Sequence, residues 1–293
     1  MRWFTGSVQV WWLIGCLGVA MGCGDDSGID DPWAHRDAGG DLDAGSDGGT
    51  GPLDAATDSD AIVPVLQDKV YAHSASTLFE VDPNDLSVTV VGDFQWPAGS
   101  LGEQMTDIAL DEDGNMVGVS FGAVYAVDKS TAACTFLANL QTGMYNGLSW
   151  VEGVGVDPNT KTLVGVNTDG DYIKIDPSTG SSTSIGAYGG GLGSSGDLVY
   201  VRGAGAFATA SSLSYGTDVL VSVNAGTGQA TIIGETGFDA IWGLAYWGGT
   251  LFGFTDGGQF ITIDPATGQG TLVESTAYSF WGAGVTTTAP IVR

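Results

Sequence analysis

Five carboxylates stand close to the start of segments that have the pattern of β-strands. Two carboxyl groups facing each other across a pocket can divide the roles of acid and base, and such a pair cleaves glycosidic bonds when the groups are about 5 to 10 Å apart. The spacing of these residues along the chain does not determine the distance between any two of them. Catalysis is therefore one hypothesis to be weighed, and its candidates are Glu103, Asp107, Glu152, Asp197 and Asp239.

Aromatic residues crowd the same segments, more densely than ordinary turns require. A rim of aromatic rings can stack on sugar rings, peptides or flat organic ligands. The same rings can instead be wedges packed between structural units, because aromatic side chains bury a large area wherever they fit. The predicted ligand-binding set consists of Trp96, Tyr145, Trp150, Tyr215, Trp242, Trp281, Glu152 and Asp107.

The composition argues against several other kinds of chemistry. The chain has two histidines, His35 and His73, so a histidine-based metal site or hydrolase triad is not expected. No cofactor is predicted, although converging oxygens in an acidic channel are a setting in which calcium binds. The net charge of −26 repels nucleic acid and anionic lipid headgroups, which excludes both as partners.

The elements that position these residues form a repeat that occurs five times. Each copy has the form of a strand, a tight turn and a second strand. The copies are TLFEVDPNDLSVTVVG from Thr77, AVYAVDKSTAACTFLA from Ala123, DYIKIDPSTGSSTSIG from Asp171, VLVSVNAGTGQATIIG from Val219 and QFITIDPATGQGTLVE from Gln259.

Within each copy, apolar residues stand one and three positions before the turn residue, which is the period of two of a half-buried strand. A threonine always stands seven positions after it, so the second strand is also alternating and β-branched. In the Asp-Pro-x-Thr-Gly turn, Asp accepts backbone hydrogen bonds, Pro presets φ and Gly supplies a positive φ. We interpret the turn residues as hairpin caps and not as ligands: Asp82, Asp128, Asp176, Asn224 and Asp264.

The turn residues are 46, 48, 48 and 40 positions apart, a period typical of propeller blades with four strands. Two further strands are predicted upstream of each hairpin. The nearer strands begin at Met116, Leu163, Phe207 and Leu251, and the earlier, innermost ones at Thr106, Glu152, Gly196 and Trp242.

The first unit has VYAHS from Val70 but no earlier strand, whereas WGAGVT, Trp281 to Thr286, has no hairpin after it. Pairing the two would close a ring and remove its open seam. We therefore predict an all-β fold for residues 63–293: a five-bladed β-propeller of four-stranded blades, closed by the C-terminal strand joining the first blade.

From about Asp68 to Val292 the units resemble those of bacterial β-propeller repeat proteins that read LYxIDPxTGxxTxIG. This resemblance implies the architecture. It implies little about activity, because propellers with such repeats serve as binding proteins, scaffolds and enzymes.

The N-terminus has the form of an export signal, with Arg2 followed by the apolar run VQVWWLIGCLGVAMG. Ala20 to Cys23 resembles the lipobox of bacterial lipoproteins, with Ala20 in place of the usual leucine. Leu13 to Cys16 fits by letter, but cleavage there would leave LGVAMG in the mature tail. We predict a signal peptide at 1–22, acylation of Cys23, and a disordered Asp/Gly-rich tether at 23–62.

Three functions are compatible with this sequence. The first is an exported propeller, anchored by lipid in the bacterial cell envelope as a monomer, that binds an unknown ligand or envelope protein, for example a carbohydrate, without catalysis. The second is a carbohydrate-active enzyme that uses the carboxylates of the channel mouth. The third is a purely structural envelope protein.

Overall fold

A computed structural model of the protein describes residues 69–100, 102–154 and 160–292. These residues form twenty β-strands arranged in five antiparallel sheets of four strands. No helix in these ranges is long and apolar enough to cross a membrane. The predicted signal peptide, Cys23 and the tether lie outside the described residues.

Each sheet is one blade, in which the four strands follow one another from the centre of the molecule outward. Blade 1 contains β20 (Gly282–Gly284), β1 (Val70–His73), β2 (Thr77–Val81) and β3 (Val88–Asp93). Blade 2 contains β4 (Met105–Leu110), β5 (Met116–Ser120), β6 (Ala123–Val127) and β7 (Cys134–Asn139). Blade 3 contains β8 (Gly147–Glu152), β9 (Lys161–Val166), β10 (Asp171–Ile175) and β11 (Ser182–Ala187). Blade 4 contains β12 (Gly193–Val201), β13 (Gly205–Ser211), β14 (Val219–Val223) and β15 (Ala230–Glu235). Blade 5 contains β16 (Ile241–Trp247), β17 (Thr250–Thr255), β18 (Gln259–Ile263) and β19 (Gly270–Ser275).

The innermost strands pack against one another in the cyclic order β4, β8, β12, β16, β20 and back to β4. The ring closes where β20, near the C-terminus, pairs with β1, with Ala283 opposite Ala72 and Gly282 opposite His73. The five-bladed β-propeller and its closure by the C-terminal strand are therefore confirmed. The closing strand is shorter than predicted, because only Gly282–Gly284 pair with β1.

The core lies between the blades, where the faces of neighbouring sheets meet. All residues of β4 and β5 are buried, because both faces of these strands are covered. The third strands keep the predicted alternation in part, as in β2, where Leu78, Phe79 and Val81 are buried and Glu80 is half-buried. The inner strands β4 and β5 are thus buried on both faces, whereas outermost strands such as β3 and β11 are half-buried or exposed throughout.

One predicted strand was wrong. The innermost strand of blade 3 was expected to begin at Glu152, but β8 ends there, having started at Gly147. The segment that ends at Glu152 and the segment that begins there both alternate, so the period of two does not distinguish between them. Close packing does, because a Cβ on Gly147 would lie 2.8 Å from the backbone oxygen of Gly196, so glycine is needed at this point of the ring.

The turn residue of each hairpin acts as the sequence predicts. Its side-chain oxygen accepts a hydrogen bond from the backbone N–H two residues later, at 2.8 to 3.0 Å in all five copies. The fourth residue after it always has a positive φ, which explains the glycine of the motif. Three blades have glycine there and two do not: Leu86 (64°), Ala132 (58°), Gly180 (67°), Gly228 (75°) and Gly268 (80°).

The hairpin turns also join neighbouring blades, which the sequence did not reveal. The Thr-Gly end of a turn packs against the outermost strand of the blade before it. A Cβ on Gly186 of β11 would lie 2.1 Å from the carbonyl oxygen of Thr227, and one on Gly234 of β15 would lie 2.2 Å from that of Thr267. In blades 3 and 4 the final glycine of the repeat is therefore the surface on which the next blade packs.

Gly186→Ala is expected to destabilise the propeller by about 1 to 3 kcal/mol, because the added methyl group meets a backbone carbonyl that cannot rotate away. Thermal unfolding followed by circular dichroism should show a melting temperature lower by roughly 3 to 10 °C. Gly92→Ala is the matched control, since Gly92 has the same place in blade 1 but its Cβ would lie 3.8 Å from the oxygen of Thr131. Equal effects of the two substitutions would contradict the proposed contact.

Candidate ligand-binding site at the mouth of the central channel

A pocket of about 320 Å³ lies where the innermost strands begin. All five blades contribute to it, through the first residues of these strands, the residues leading into them or the loops between second and third strands. Its size is within the range of small-molecule sites. The lining residues are Thr106, Phe121, Met144, Tyr145, Asn146, Thr168, Ser195, Trp242 and Trp281.

Three aromatic rings form one side of this pocket, which we call the aromatic wall: Phe121, Trp242 and Trp281. The ring of Trp281 lies edge-to-face against Phe121, with centroids 6.5 Å apart, and against Trp242, with centroids 6.2 Å apart. The indole N–H of Trp281 donates to the hydroxyl of Ser279 at 3.2 Å, which fixes the plane of the ring. Phe121 is 47% exposed, so its face is accessible from solvent.

The rest of the lining mixes apolar and polar groups. Tyr145 is 1% exposed and its hydroxyl donates to the carbonyl of Thr142 at 2.8 Å, so it forms a rigid part of the pocket. Met144 beside it is 64% exposed. The hydroxyl of Ser195 donates to Asp218 at 2.6 Å, and the amide N–H of Ile241 donates to the same carboxylate at 2.9 Å. Asp218 thus stands directly behind the pocket, joined to its lining through Ser195.

The structure brings together only some of the aromatic residues predicted to bind ligand. Tyr145, Trp242 and Trp281 line the pocket. Trp96 instead packs against Tyr125 of β6 at 5.0 Å, as a wedge between blades. Trp150 lies within β8, opposite Leu163, and not in the loop before this strand. Tyr215 is 38% exposed between β13 and β14 and does not line the pocket. Trp96 is therefore a packed wedge, whereas Tyr145, Trp242 and Trp281 line a pocket at the mouth.

Glu152 is at the opposite face of the ring, because β8 ends rather than begins there. Its carboxylate accepts hydrogen bonds from Arg202, which also pairs with Glu112, and Lys161 pairs with Glu112. The hydrogen bond from Arg202 lowers the pKa of Glu152. Its predicted place at the mouth was therefore wrong, and its contacts are those of an ion-pair network.

Asp107 is fully buried, one residue below the pocket-lining Thr106 in β4. It faces Asp197 of β12, which is also fully buried, and His73 of β1, whose Nε2 lies 3.7 Å from Asp107 Oδ1. We call these three residues the buried acid cluster. All three side chains are fully buried, so none of these groups is exposed to a bound molecule.

Backbone donors hold Asp197 in place. The N–H groups of Leu198 and Leu244 donate to it at 2.6 and 2.7 Å, and that of Ala283 at 3.1 Å. Asp107 accepts from the N–H of Ile108 at 2.8 Å. The charge of Asp197 acts on the buried carboxyl group of Asp107, so the pair avoids two adjacent buried charges by retaining a proton.

The electrostatics of the buried acid cluster follow from its lack of water. Burial raises the pKa of Asp107 well above its usual range, and the charge of Asp197 raises it further. Burial also raises the pKa of Asp197, against the opposing effect of its backbone donors. Burial lowers the pKa of His73 to about 4. Its Nδ1 donates to the carbonyl of Ser74 at 2.9 Å, so it is a core histidine with a hydrogen-bond partner.

The cluster occupies one position in the alignment of the five innermost strands. Two blades have aspartate there and three have glycine: Asp107, Gly147, Asp197, Gly243 and Gly282. The glycines make room, since a Cβ on Gly282 would lie 2.2 Å from Asp107 Oδ1 and 2.3 Å from His73 Nε2. This alternation of aspartate and glycine is visible in the sequence once β8 is placed correctly.

Sequence reasoning missed several lining residues, among them Phe121, Met144 and Asn146. Phe121 lies in the short turn between β5 and β6, and an apolar ring in so short an exposed turn was the available signal. Met144 and Asn146 flank Tyr145, which was predicted. Across the described parts of the chain, no three His, Cys, Asp or Glu side chains form a group that could hold a metal ion.

No family model matches this sequence, and no curated protein matches it. Among solved structures it is similar to a chain in the crystal structure of a nidogen/laminin complex, with 10% sequence identity and a TM-score of 0.47. The similarity covers 77% of this chain and 99% of that chain. The assignment of the fold depends on the strand pairing and blade packing described above.

Proposed function

We propose that this protein is an exported, lipid-anchored propeller of the bacterial cell envelope that binds a small ligand at the mouth of its channel, without catalysis. The pocket of about 320 Å³ with its aromatic wall is the observation that supports binding. Export and anchoring are supported by the sequence around Cys23. Loss of acyl labelling and of membrane association in a Cys23→Ser variant tests the anchor.

The lining favours binding over a reaction. None of the residues that line the pocket carries a carboxylate or an imidazole. No histidine or lysine lines the pocket to activate one of its hydroxyl groups, and the carboxylate of Asp218, to which Ser195 donates, also accepts the amide N–H of Ile241. The pocket offers apolar surface with a few polar groups, which is the usual composition of a binding site.

The carbohydrate-active alternative has no specific support in the described residues. Of the five candidate carboxylates, Asp107 and Asp197 lie together, and both are wholly buried. A glycosidase needs its two carboxyl groups exposed on either side of the sugar, roughly 5 Å or more apart. Two wholly buried carboxyl groups do not flank a substrate.

Loss of ligand on removal of the aromatic wall is the expected result that tests this proposal. The full-length protein is applied to glycan and metabolite arrays, and hits are measured by calorimetry. Trp242→Ala and Trp281→Ala should each weaken binding by roughly tenfold or more, because a central aromatic contact dominates such a site.

Tyr215→Ala is the matched control, since this aromatic residue is exposed on the same face but does not line the pocket. It should leave the affinity unchanged. If the Trp242 and Trp281 variants are folded and bind every hit as the parent does, the mouth is not the binding site.

A further inference from the structure

The two faces of the propeller carry different kinds of charge. Four of the five basic residues in the described chain, Lys69, Lys129, Lys161 and Arg202, lie at the face opposite the pocket. The fifth, Lys174, lies within β10. Basic side chains are thus concentrated away from the mouth.

On the opposite face these bases are already paired. Lys69 pairs with Glu80, Lys161 with Glu112, and Arg202 with both Glu112 and Glu152. Lys129 donates to the backbone carbonyl of Gly114 at 2.8 Å. The charges of that face therefore largely neutralise one another.

The mouth has acids without bases. Its loops are those leading into the innermost strands and those between second and third strands, and none of their described residues is Lys or Arg. Their acids are Glu103, Asp169, Asp218, Asp239 and Asp256. A concave site surrounded by one sign of charge concentrates ligands of the opposite sign.

The lining adds a second, independent preference. The ring plane of Trp281 makes an angle of 76° with that of Phe121 and of 82° with that of Trp242. A group in the pocket therefore meets both ring faces and ring edges. A cation placed over an aromatic face is attracted by its π electrons, and alkylated ammonium groups suit such sites because they shed water easily. The exposed thioether of Met144 provides a soft, polarisable neighbour.

Other ligands match these features less well. A hard cation such as calcium needs several oxygen ligands, and no residue that lines the pocket supplies a carboxylate. An anion would be repelled by the acids of the mouth. A neutral sugar would gain from stacking on Trp242 or Trp281 but nothing from the surrounding charge.

We propose that the mouth pocket binds a small cation whose charged group is an alkylated ammonium, held against Phe121, Trp242 and Trp281. The carboxylate of Asp218 lies behind Ser195 and contributes negative potential without touching the ligand. This inference rests on the proposed binding function and specifies the ligand class of the same pocket.

The test compares a cation with its neutral isostere on the full-length protein. Calorimetry measures binding of choline and of 3,3-dimethylbutan-1-ol, which has the same shape but a carbon in place of the charged nitrogen. Choline should bind between about twofold and thirtyfold more tightly, the range that cation–π attraction provides. Equal or tighter binding of the neutral alcohol would overturn the inference.

Two variants separate the charge from the shape of the site. Asp218→Asn should weaken choline binding and leave the neutral alcohol unaffected, while Glu112→Gln on the opposite face should change neither. Trp242→Phe keeps an aromatic face and should retain most of the affinity that Trp242→Ala loses, and circular dichroism verifies that each variant is folded.

The outcomes distinguish failure of the ligand class from failure of the proposed function. An array hit that is neutral, depends on Trp242 and exceeds choline in affinity would overturn the cation while leaving the pocket as a binding site. Array hits that are indifferent to both tryptophans, together with no detectable choline binding, would overturn both.

Discussion

Removal of the chain from Trp281 onward is expected to abolish the cooperative unfolding of the propeller. The deleted segment contains β20, which pairs with β1 and packs between β16 and β4. Its residues Ala283 and Val285 are buried, at 1% and 4% exposure. Without them β1 becomes an edge strand, and the innermost strands of blades 2 and 5 lose their common neighbour.

The expected loss is large compared with the stability of a typical domain. The truncation removes a strand of backbone hydrogen bonds and a buried layer of side chains, and it also removes the Ala283 N–H that donates to the buried Asp197. Leaving one such buried group without its partner costs about 1 to 3 kcal/mol by itself. Together these losses are on the order of 5 kcal/mol or more, against a total stability of about 5 to 15 kcal/mol.

Calorimetry and near-ultraviolet circular dichroism should therefore show no sharp transition and weakened tertiary signals in the truncated chain. A chain ending at Ile291 is the control, because Val292 is 74% exposed and the closing strand is intact. A synthetic peptide that spans residues 280–292 should restore part of the transition when added to the truncated chain. An unchanged melting temperature after truncation would refute closure by β20.

The stability of the protein is expected to fall as the pH rises from near neutral to about 9. Burial raises the pKa of Asp197 to about 8, far above the value of an exposed aspartate, and the pKa of Asp107 is raised as well. A carboxyl group whose folded pKa exceeds its unfolded pKa stabilises the fold at low pH and loses this contribution as the pH rises through the folded value. The contribution is on the order of a few kcal/mol, since each pKa unit corresponds to about 1.4 kcal/mol.

His73 acts in the opposite direction over a different range. Its pKa is lowered to about 4 by burial, so the folded state resists its protonation. Its contribution is present above the unfolded pKa of about 6.5 and is lost as the pH falls toward 4. The two effects oppose each other between about pH 4 and 6.5, and only the carboxyl pair acts above that range.

Asp107→Asn should flatten the alkaline part of this profile. The amide has nearly the shape of the acid and can donate to Asp197 at every pH, so Asp197 can ionise among its three backbone donors. At about pH 9 the variant should be more stable than the parent in urea denaturation. Asp264→Asn is the control, because hydrogen bonds lower the pKa of this exposed turn residue and its effect is confined to acid pH. An identical slope in parent and Asp107→Asn would refute the shared proton.

Much of the fold could be predicted because each local signal agreed with the others. The turn residues Asp82, Asp128, Asp176, Asn224 and Asp264 mark hairpins by themselves, and the period of two on either side assigns the strands. The closing strand could be predicted because the first unit lacks its innermost strand, while the C-terminal segment has a strand with no hairpin after it. The innermost strand of blade 3 was predicted in the wrong place because two overlapping segments alternate equally well. Only contacts between blades distinguish the two segments.

The site was predictable to a smaller extent, because its composition depends on the direction of side chains. Trp96 precedes an innermost strand and Trp242 is the second residue of another, yet Trp96 packs against Tyr125 whereas Trp242 lines the pocket. Asp107 and Glu103 are near neighbours in sequence, but Asp107 points into a core from which water is excluded. Burial of this kind is caused by contacts with neighbouring blades, and the local sequence pattern contains no information about those contacts.

The contact between the Thr-Gly turn of one blade and the final glycine of the blade before it has a bearing on how such a molecule can evolve. Blade 4 carries both the Thr-Gly turn and the final glycine, so tandem duplication of this unit would supply a matching junction between the two copies. Gain or loss of a whole unit then requires fewer changes in sequence than the formation of a new junction. The number of blades can therefore change through a single duplication within the gene.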